Sequence, residues 1–350
     1  MPDNIQIVLR ERPVGRVDEG CFETRSGAIG DPDEGEVLIR TCWLGFDPAQ
    51  RGWINDIPSY VPPVAIDEVM RASGVGQIVA SRNARFAVGD LVVGTLGWQE
   101  YCTADPGDSP LDLQLIPPDI DDPKLMLNVL GTTGLTAYVG MHDIGRPAEG
   151  DTVLVTAAAG ATGAVAGQIA KIMGAAKVVG TSSTPEKRAW VTDVIGFDEC
   201  IDYRDPHVFR LLKVATGGSG FDVVFDNVGG SLLDNALGNM ALGARVVLCG
   251  AISTGYRPER PAEGLRNYQF LTTLRGRMEG FIVLDHADRF AVIRSELQRW
   301  LTDGKLRSTE DIVEGLEHAP ATLQRLFDGQ NLGKQLLHVA DPELPRPGAG

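Results

Sequence analysis

Histidine is scarce and unevenly placed: the 350 residues hold five, His142, His207, His286, His318 and His338, and none lies before position 142. The five cysteines, Cys21, Cys42, Cys102, Cys200 and Cys249, are scattered, odd in number and never paired as C-x-x-C. No Cys/His/Glu set with the spacing of a zinc site can be assembled from them, so no metal is expected. A disulfide framework is excluded on the same count, and reduced cysteines point to a cytoplasmic chain. Positive charge is also in deficit, 32 Lys and Arg against 47 Asp and Glu, for a net charge of −15 and a pI near 4.8. Repulsion at that charge argues against nucleic acid or an anionic membrane as partner. The start, M-P-D-N-I-Q-I-V-L-R-E-R, has no apolar stretch of secretory-signal length. The charge-free stretch from Thr152 to Ala170 is dense in small residues, with glycines at 160, 163 and 167, which suits a close-packed turn better than a bilayer span.

Glycine, by contrast, is plentiful, with 42 residues, and it is concentrated where a ligand would require it. Thr152 to Thr156 reads as a buried parallel strand, Ala158 to Gly163 as a tight turn, and the residues from Ala161 as a helix with Val165, Ile169 and Ile172 on one face. Lys177 to Thr181 is a second strand. This βαβ unit matches a dinucleotide fingerprint with Ala158 in place of the first glycine and Gly160 and Gly163 as the second and third. An NAD site would need a carboxylate at the end of the second strand, whereas here the chain reads Gly180-Thr181-Ser182-Ser183-Thr184, followed by Lys187 and Arg188. Hydroxyls and cations in that place favour NADP(H). Glu186, just after Pro185, is read as a charge at a helix start.

The length predicts two domains. Short strand-like runs at Ile5 to Leu9, Val37 to Thr41, Gly76 to Ala80 and Leu91 to Gly94 suggest a small barrel. Leu125 to His142 reads as a helix at the crossover. From Asp151 strands and helices alternate: a helix from Pro185, a strand at Cys200 to Asp202, a helix from Pro206, and a strand at Phe221 to Phe225. A helix at Leu232 to Met240, strands at Arg245 to Cys249 and Met278 to Val283, and a helix at Ala287 to Leu301 follow. The pattern is α/β, a doubly wound parallel sheet with its crevice at the carboxyl ends of the strands. A final strand is expected at Gln335 to Val339, and the Pro- and Gly-rich tail from Asp341 to Gly350 is expected to be disordered.

Several segments resemble those of one family: Ala157-Ala158-Ala159-Gly160, Phe225-Asp226-Asn227-Val228-Gly229-Gly230, Cys249-Gly250-Ala251-Ile252-Ser253, Arg277-Met278-Glu279-Gly280-Phe281 and Asn331-Leu332-Gly333-Lys334. Together they are similar to the zinc-independent medium-chain dehydrogenase/reductases, in the leukotriene B4 12-hydroxydehydrogenase/prostaglandin reductase and alkenal double-bond reductase group. The resemblance implies a GroES-like catalytic domain at 1–127, a Rossmann NADP-binding domain at 128–304, a segment at 305–340 returning to the catalytic domain, and a homodimer. It implies that Gly160, Ala161, Thr162 and Gly163 hold the pyrophosphate, and that Lys187 and Tyr203 contact the adenosine 2′-phosphate. Asn227, Cys249, Gly250, Ala251, Ile252 and Ser253 would line the cofactor. Phe281, Ile282 and Val283 would border nicotinamide and substrate, and Asn331 would bond the cofactor. Tyr256 is the implied active-site tyrosine, and the implied reaction is NADPH-dependent reduction of the C=C bond of a small enone or enal. Quinone reduction, or NADP binding without turnover, are the alternatives. Two positions depart from the family pattern. Gly255 is inserted before Tyr256, which predicts a displaced hydroxyl or a bulged loop. Ala49 and Gln50 replace a Tyr and a Met, which predicts a wider and more polar pocket.

Overall fold

The structure, a computed structural model, describes residues 3–109, 111–258 and 264–347. It divides into two compact units, one made of residues 1–131, 257–259 and 310–350, the other of 132–256 and 260–309.

The first unit begins with the antiparallel hairpin β1 (Asp3–Leu9) and β2 (Phe22–Ala28). Strands β3 (Val37–Gly45), β4 (Ser73–Ser81), β5 (Leu91–Thr95), β6 (Tyr101–Ala104) and β7 (Gln114–Leu115) follow, with the short helix α1 (Ala49–Trp53) after β3. Isolated bridges from Gln6 to Gln99 and from Val8 to Val69 tie the hairpin to this sheet. Trp98 fills the middle, fully buried, with Phe22 and Phe46 packed on it at centroid distances of 5.0 and 5.5 Å.

The crossover is less regular than expected. In place of one helix over 125–142 there are a 3₁₀ turn at Pro123–Leu127, helix α2 (Thr132–Tyr138) and a π-helical turn at Val139–Gly145. Asn128 leaves the helical region, and a Cβ on Gly131 would sit far inside contact distance of the Met126 carbonyl, so the chain doubles back where the two units meet in sequence.

The second unit alternates without exception: β8 (Thr152–Val155), α3 (Ala161–Ile172), β9 (Lys177–Ser182), α4 (Pro185–Asp193), β10 (Glu199–Asp202), α5 (Val208–Ala215), β11 (Phe221–Asp226), α6 (Gly230–Leu237), β12 (Met240–Leu248), α7 (Phe270–Thr273), β13 (Arg277–Gly280) and α8 (Phe290–Thr302). All six strands are parallel, in the order β10-β9-β8-β11-β12-β13. The order reverses between β8 and β11, which defines a Rossmann switch point. Leu154, Val179, Ile201, Phe221, Val224 and Val246 of the sheet pack in one core cluster with residues of the helices, Leu212 and Leu237 among them. The strand expected to reach Val283 stops at Gly280 and gives way to a 3₁₀ segment at Val283–Arg289. Gln168, buried in α3, exchanges two amide hydrogen bonds with the Arg307 backbone, at 3.2 and 2.8 Å, and so keeps the residues before 310 in this unit.

The chain then completes the first unit with β14 (Glu310–Glu314), α9 (Ala319–Phe327) and β15 (Lys334–His338). Its sheet runs β14-β15-β3-β4-β5-β7, with β6 also paired to β3, in the manner of a GroES-like barrel. The tail corrects an expectation. The residues from Asp341 to 347 are held: the buried amide of Gln77 accepts from Glu343 and Leu344 N–H at 2.9 Å each and donates to the Leu344 carbonyl at 2.7 Å. Arg346 donates to the carbonyls of Ile116, Pro117 and Ile120, and Glu343 pairs with Arg40. Composition suggested a free tail because backbone partners supplied by a distant strand leave no trace in the tail's own residues. The last three residues lie outside the described set.

Lys334 is 2 % exposed and its ammonium meets the Asp47 carboxylate at 2.6 Å, joining β15 to the segment before α1. Removing the carboxylate strands a buried cation. Asp47→Ala is therefore expected to lower stability by about 3 kcal/mol, read as an earlier midpoint in urea unfolding followed by far-UV circular dichroism.

Candidate functional site

The site of the second unit starts at the switch point. Thr156, one residue past β8, donates its hydroxyl to Asp226 Oδ1 at 2.8 Å, and its backbone N–H bonds the Phe225 carbonyl at 3.0 Å. Asn227 answers with its own N–H to Thr156 Oγ1 and its Nδ2 to the Thr156 carbonyl, both at 2.8 Å. Asp226 is fully buried, and its carboxylate also accepts from Gly229 and Val228 N–H at 2.8 and 3.3 Å. Burial drives its carboxyl above the usual range, against the opposing pull of Thr156 and these two amides. The result is a clamp that holds the mouths of β8 and β11 in one fixed relation.

Around it lie the loops that follow the strands. The turn from Ala157 to Gly163 folds over β8. A Cβ on Gly163 would collide with the Ala157 carbonyl, so the turn admits no side chain there, and α3 presents its N-terminus with Gly160 as cap. This is the close backbone approach and positive helix end that a pyrophosphate requires. Ala161 and Thr162, half-buried, form the first helical positions. The left-handed residue of the turn is Ala157, at φ 51°, rather than a glycine.

The loop after β12 docks on the loop after β11: Ile252 N–H bonds the Asn227 carbonyl at 3.2 Å and Ser253 N–H the Val228 carbonyl at 3.0 Å. Cys249, Gly250 and Ala251 thereby stand beside Asn227. Burial pushes the Cys249 thiol up to about 12, with the Asp226 charge adding to the rise, so at neutral pH it is a packing group and no nucleophile. Gly255 and Tyr256 are both left-handed, at φ 64° and 50°. The loop turns back on itself, and Tyr256 Oη accepts from Ala251 N–H at 3.3 Å.

At the other end of the crevice, Thr184 caps α4 and accepts from Lys187 N–H at 3.3 Å. Glu186 lies in the first turn, its carboxyl lowered by its own backbone N–H and by the Thr184 hydroxyl, which is the helix-start role expected of it. Tyr203 is 42 % exposed at the end of β10. Arg188 and Arg204 both bind Asp202, at 2.8 and 3.3 Å. Burial opposes ionisation of that carboxyl, but bonds to Arg204 and the charges of both arginines hold it below the usual range.

Phe281 packs near Gly140 of the π-helical turn, Ile282 is exposed and Val283 buried, beyond the end of β13. Asn331 belongs to the first unit, where its Nδ2 donates to the Gly333 carbonyl at 2.9 Å. Gln50 is 1 % exposed, its amide donating to the Gly45 carbonyl at 3.0 Å. One turn after Ala49, Trp53 donates its indole N–H to the Tyr60 hydroxyl at 3.1 Å. Sequence reasoning missed Thr156, Asp226 and Arg204. Thr156 was visible only as a strand-end residue, Asp226 only as part of the segment Phe225 to Gly230, and Arg204 only as the residue after Tyr203.

Residues 5–110 match the family described as the N-terminal domain of oxidoreductase, and residues 161–297 the family described as zinc-binding dehydrogenase. Among the described residues no group of three or more His, Cys, Asp or Glu could hold a metal ion. The chain is 38 % identical to the NADPH-dependent curcumin reductase of Escherichia coli over 96 % of its own length and 97 % of the relative's. It is 34 % identical to the 2-alkenal reductase (NADP(+)-dependent) of Nicotiana tabacum, over 96 % and 98 %. The crystal structure of CurA in complex with NADPH from Vibrio vulnificus superposes with a TM-score of 0.90 at 38 % identity, covering 97 % of this chain and all of that one. With the switch-point clamp, the glycine turn and the tyrosine loop in place, this chain belongs to the zinc-independent medium-chain dehydrogenase/reductases, in the prostaglandin reductase and alkenal double-bond reductase group.

Proposed function

We propose that the protein is an NADPH-dependent reductase of the carbon–carbon double bond of α,β-unsaturated ketones or aldehydes. The observation that carries this reading is the Tyr256 hydroxyl, seated on Ala251 N–H beside the strand ends that frame the dinucleotide turn. The relatives named for curcumin and 2-alkenal reduction support the same chemistry. Gly160 to Gly163 would hold the pyrophosphate, Asn227 and Cys249 to Ser253 would line the nicotinamide half, and Lys187 and Tyr203 would meet the 2′-phosphate. When bound, the cofactor supplies a hydride to the substrate β-carbon. Tyr256 then has one task, to hydrogen-bond the carbonyl oxygen as negative charge develops there. Because its oxygen accepts from Ala251 N–H, the phenol is polarised toward donation. The α-carbon takes its proton from Tyr256 or from solvent. Holding the enone at close range in a dry crevice contributes much of the acceleration.

Three results are expected. Tyr256→Phe should lower kcat/KM for a simple enal by about 10- to 1,000-fold, with NADPH affinity nearly unchanged; full turnover in steady-state assays would remove the tyrosine from the mechanism. Lys187→Ala should weaken NADPH by about 1.5–3 kcal/mol, roughly ten- to more than a hundredfold, and leave NADH nearly unchanged, as measured by equilibrium titration. Exhaustive chelation should leave NADPH consumption intact, with elemental analysis finding less than stoichiometric zinc; inactivation reversed by added zinc would contradict the proposal.

A further inference from the structure

Two guanidiniums meet on the Asp202 carboxylate where β9 and β10 end. Arg188 Nη1 donates to the Ser183 carbonyl at 3.0 Å and to Asp202 Oδ2 at 2.8 Å. Arg204 donates from Nε to Asp202 Oδ1 at 3.3 Å and from Nη2 to the same Ser183 carbonyl. The two guanidiniums therefore share both acceptors, and Lys187 directly precedes Arg188 in α4. Stability does not explain the arrangement, since the Arg204 side chain is 54 % exposed, such pairs contribute little, and two neighbouring guanidiniums repel. Nε and Nη2 of Arg188 and Nη1 of Arg204 have no partner among the described residues.

We infer that Arg204, held beside Arg188 by Asp202, is a cofactor-discriminating residue whose guanidinium receives the 2′-phosphate of NADPH. The inference rests on the NADPH reading above and adds a residue and a geometry to it. A planar guanidinium offers parallel donors that match a phosphate, and the dianion relieves the repulsion between the two arginines. Asp202 is a positioning residue. It fixes the two arginines side by side, its Oδ2 accepting from Arg188 Nη1 and its Oδ1 from the Arg204 backbone N–H and Nε, so that its charge is already faced by two guanidiniums. The acidic side chain at this crevice end thus serves the phosphorylated cofactor.

The test is equilibrium titration of the full-length protein with NADPH and NADH, and by calorimetry with 2′,5′-ADP and 5′-AMP. Arg204→Gln is expected to raise the NADPH and 2′,5′-ADP dissociation constants by about tenfold or more, with NADH and 5′-AMP within about twofold and the melting temperature unchanged. Arg204→Lys, which keeps the charge and loses the planar fork, should fall between. Asp202→Asn should lower the NADPH preference although it removes a negative charge; a rise in NADPH affinity would overturn the positioning role. If Arg204→Gln leaves the NADPH to NADH ratio at the wild-type value while Lys187→Ala collapses it, the arginine pair is uninvolved and the NADPH reading survives. If neither substitution moves the ratio, both fall, and equal weakening of all four ligands by Arg204→Gln would likewise reject the inference.

Discussion

The second unit depends on a bond between neighbours in space that are 70 residues apart in sequence, the Thr156 hydroxyl on the buried Asp226 carboxylate. A charge taken out of water must be surrounded by donors, and here the donors are the loops that the site is made of: Val228, Gly229 and, through Thr156, Asn227. Satisfying the carboxylate and shaping the crevice are one act. Gly229, Asn227 and the docked loop carrying Cys249 to Ser253 inherit their positions from it, and Tyr256 inherits its own from Ala251.

The same economy governs the polar end. Asp202, at the end of β10, is a carboxylate held between Arg188 and Arg204. Charge type at one position is therefore a poor guide to preference, and the partners of that charge are a better one. Glu186, spent on the start of α4, illustrates the point from the other side.

The doubly wound half was legible because its strands are charge-poor runs with helical periods between them, and because the glycine turn is shaped by contacts that forbid side chains, as at Gly163. What escaped reading was non-local. The crossover looked like one helix because Asn128 and Gly131 interrupt an otherwise apolar period only through backbone geometry. The tail looked free because its partners are Gln77, Arg40 and the carbonyls near Ile116, far away in sequence. Gln50 read as a polar pocket residue, yet it turns inward to the Gly45 carbonyl, a choice that depends on tertiary packing. Tyr256 was suggested by its family motif, but the two consecutive left-handed residues, Gly255 and Tyr256, that shape its loop are encoded by no periodicity.

The first unit is discontinuous, and that has a consequence for synthesis. Its sheet lacks β14 and β15, and Gln77 lacks its partners, until residues 310 to 347 have been made, whereas the second unit has all its strands once residue 280 is available and its Gln168 anchor by residue 307. During synthesis the first unit is begun before the second and completed after it, and for that interval β3 offers an unpaired edge where β15 will lie. That edge is covered when β15 pairs with β3, and residues 343 and 344 then give the buried amide of Gln77 its partners.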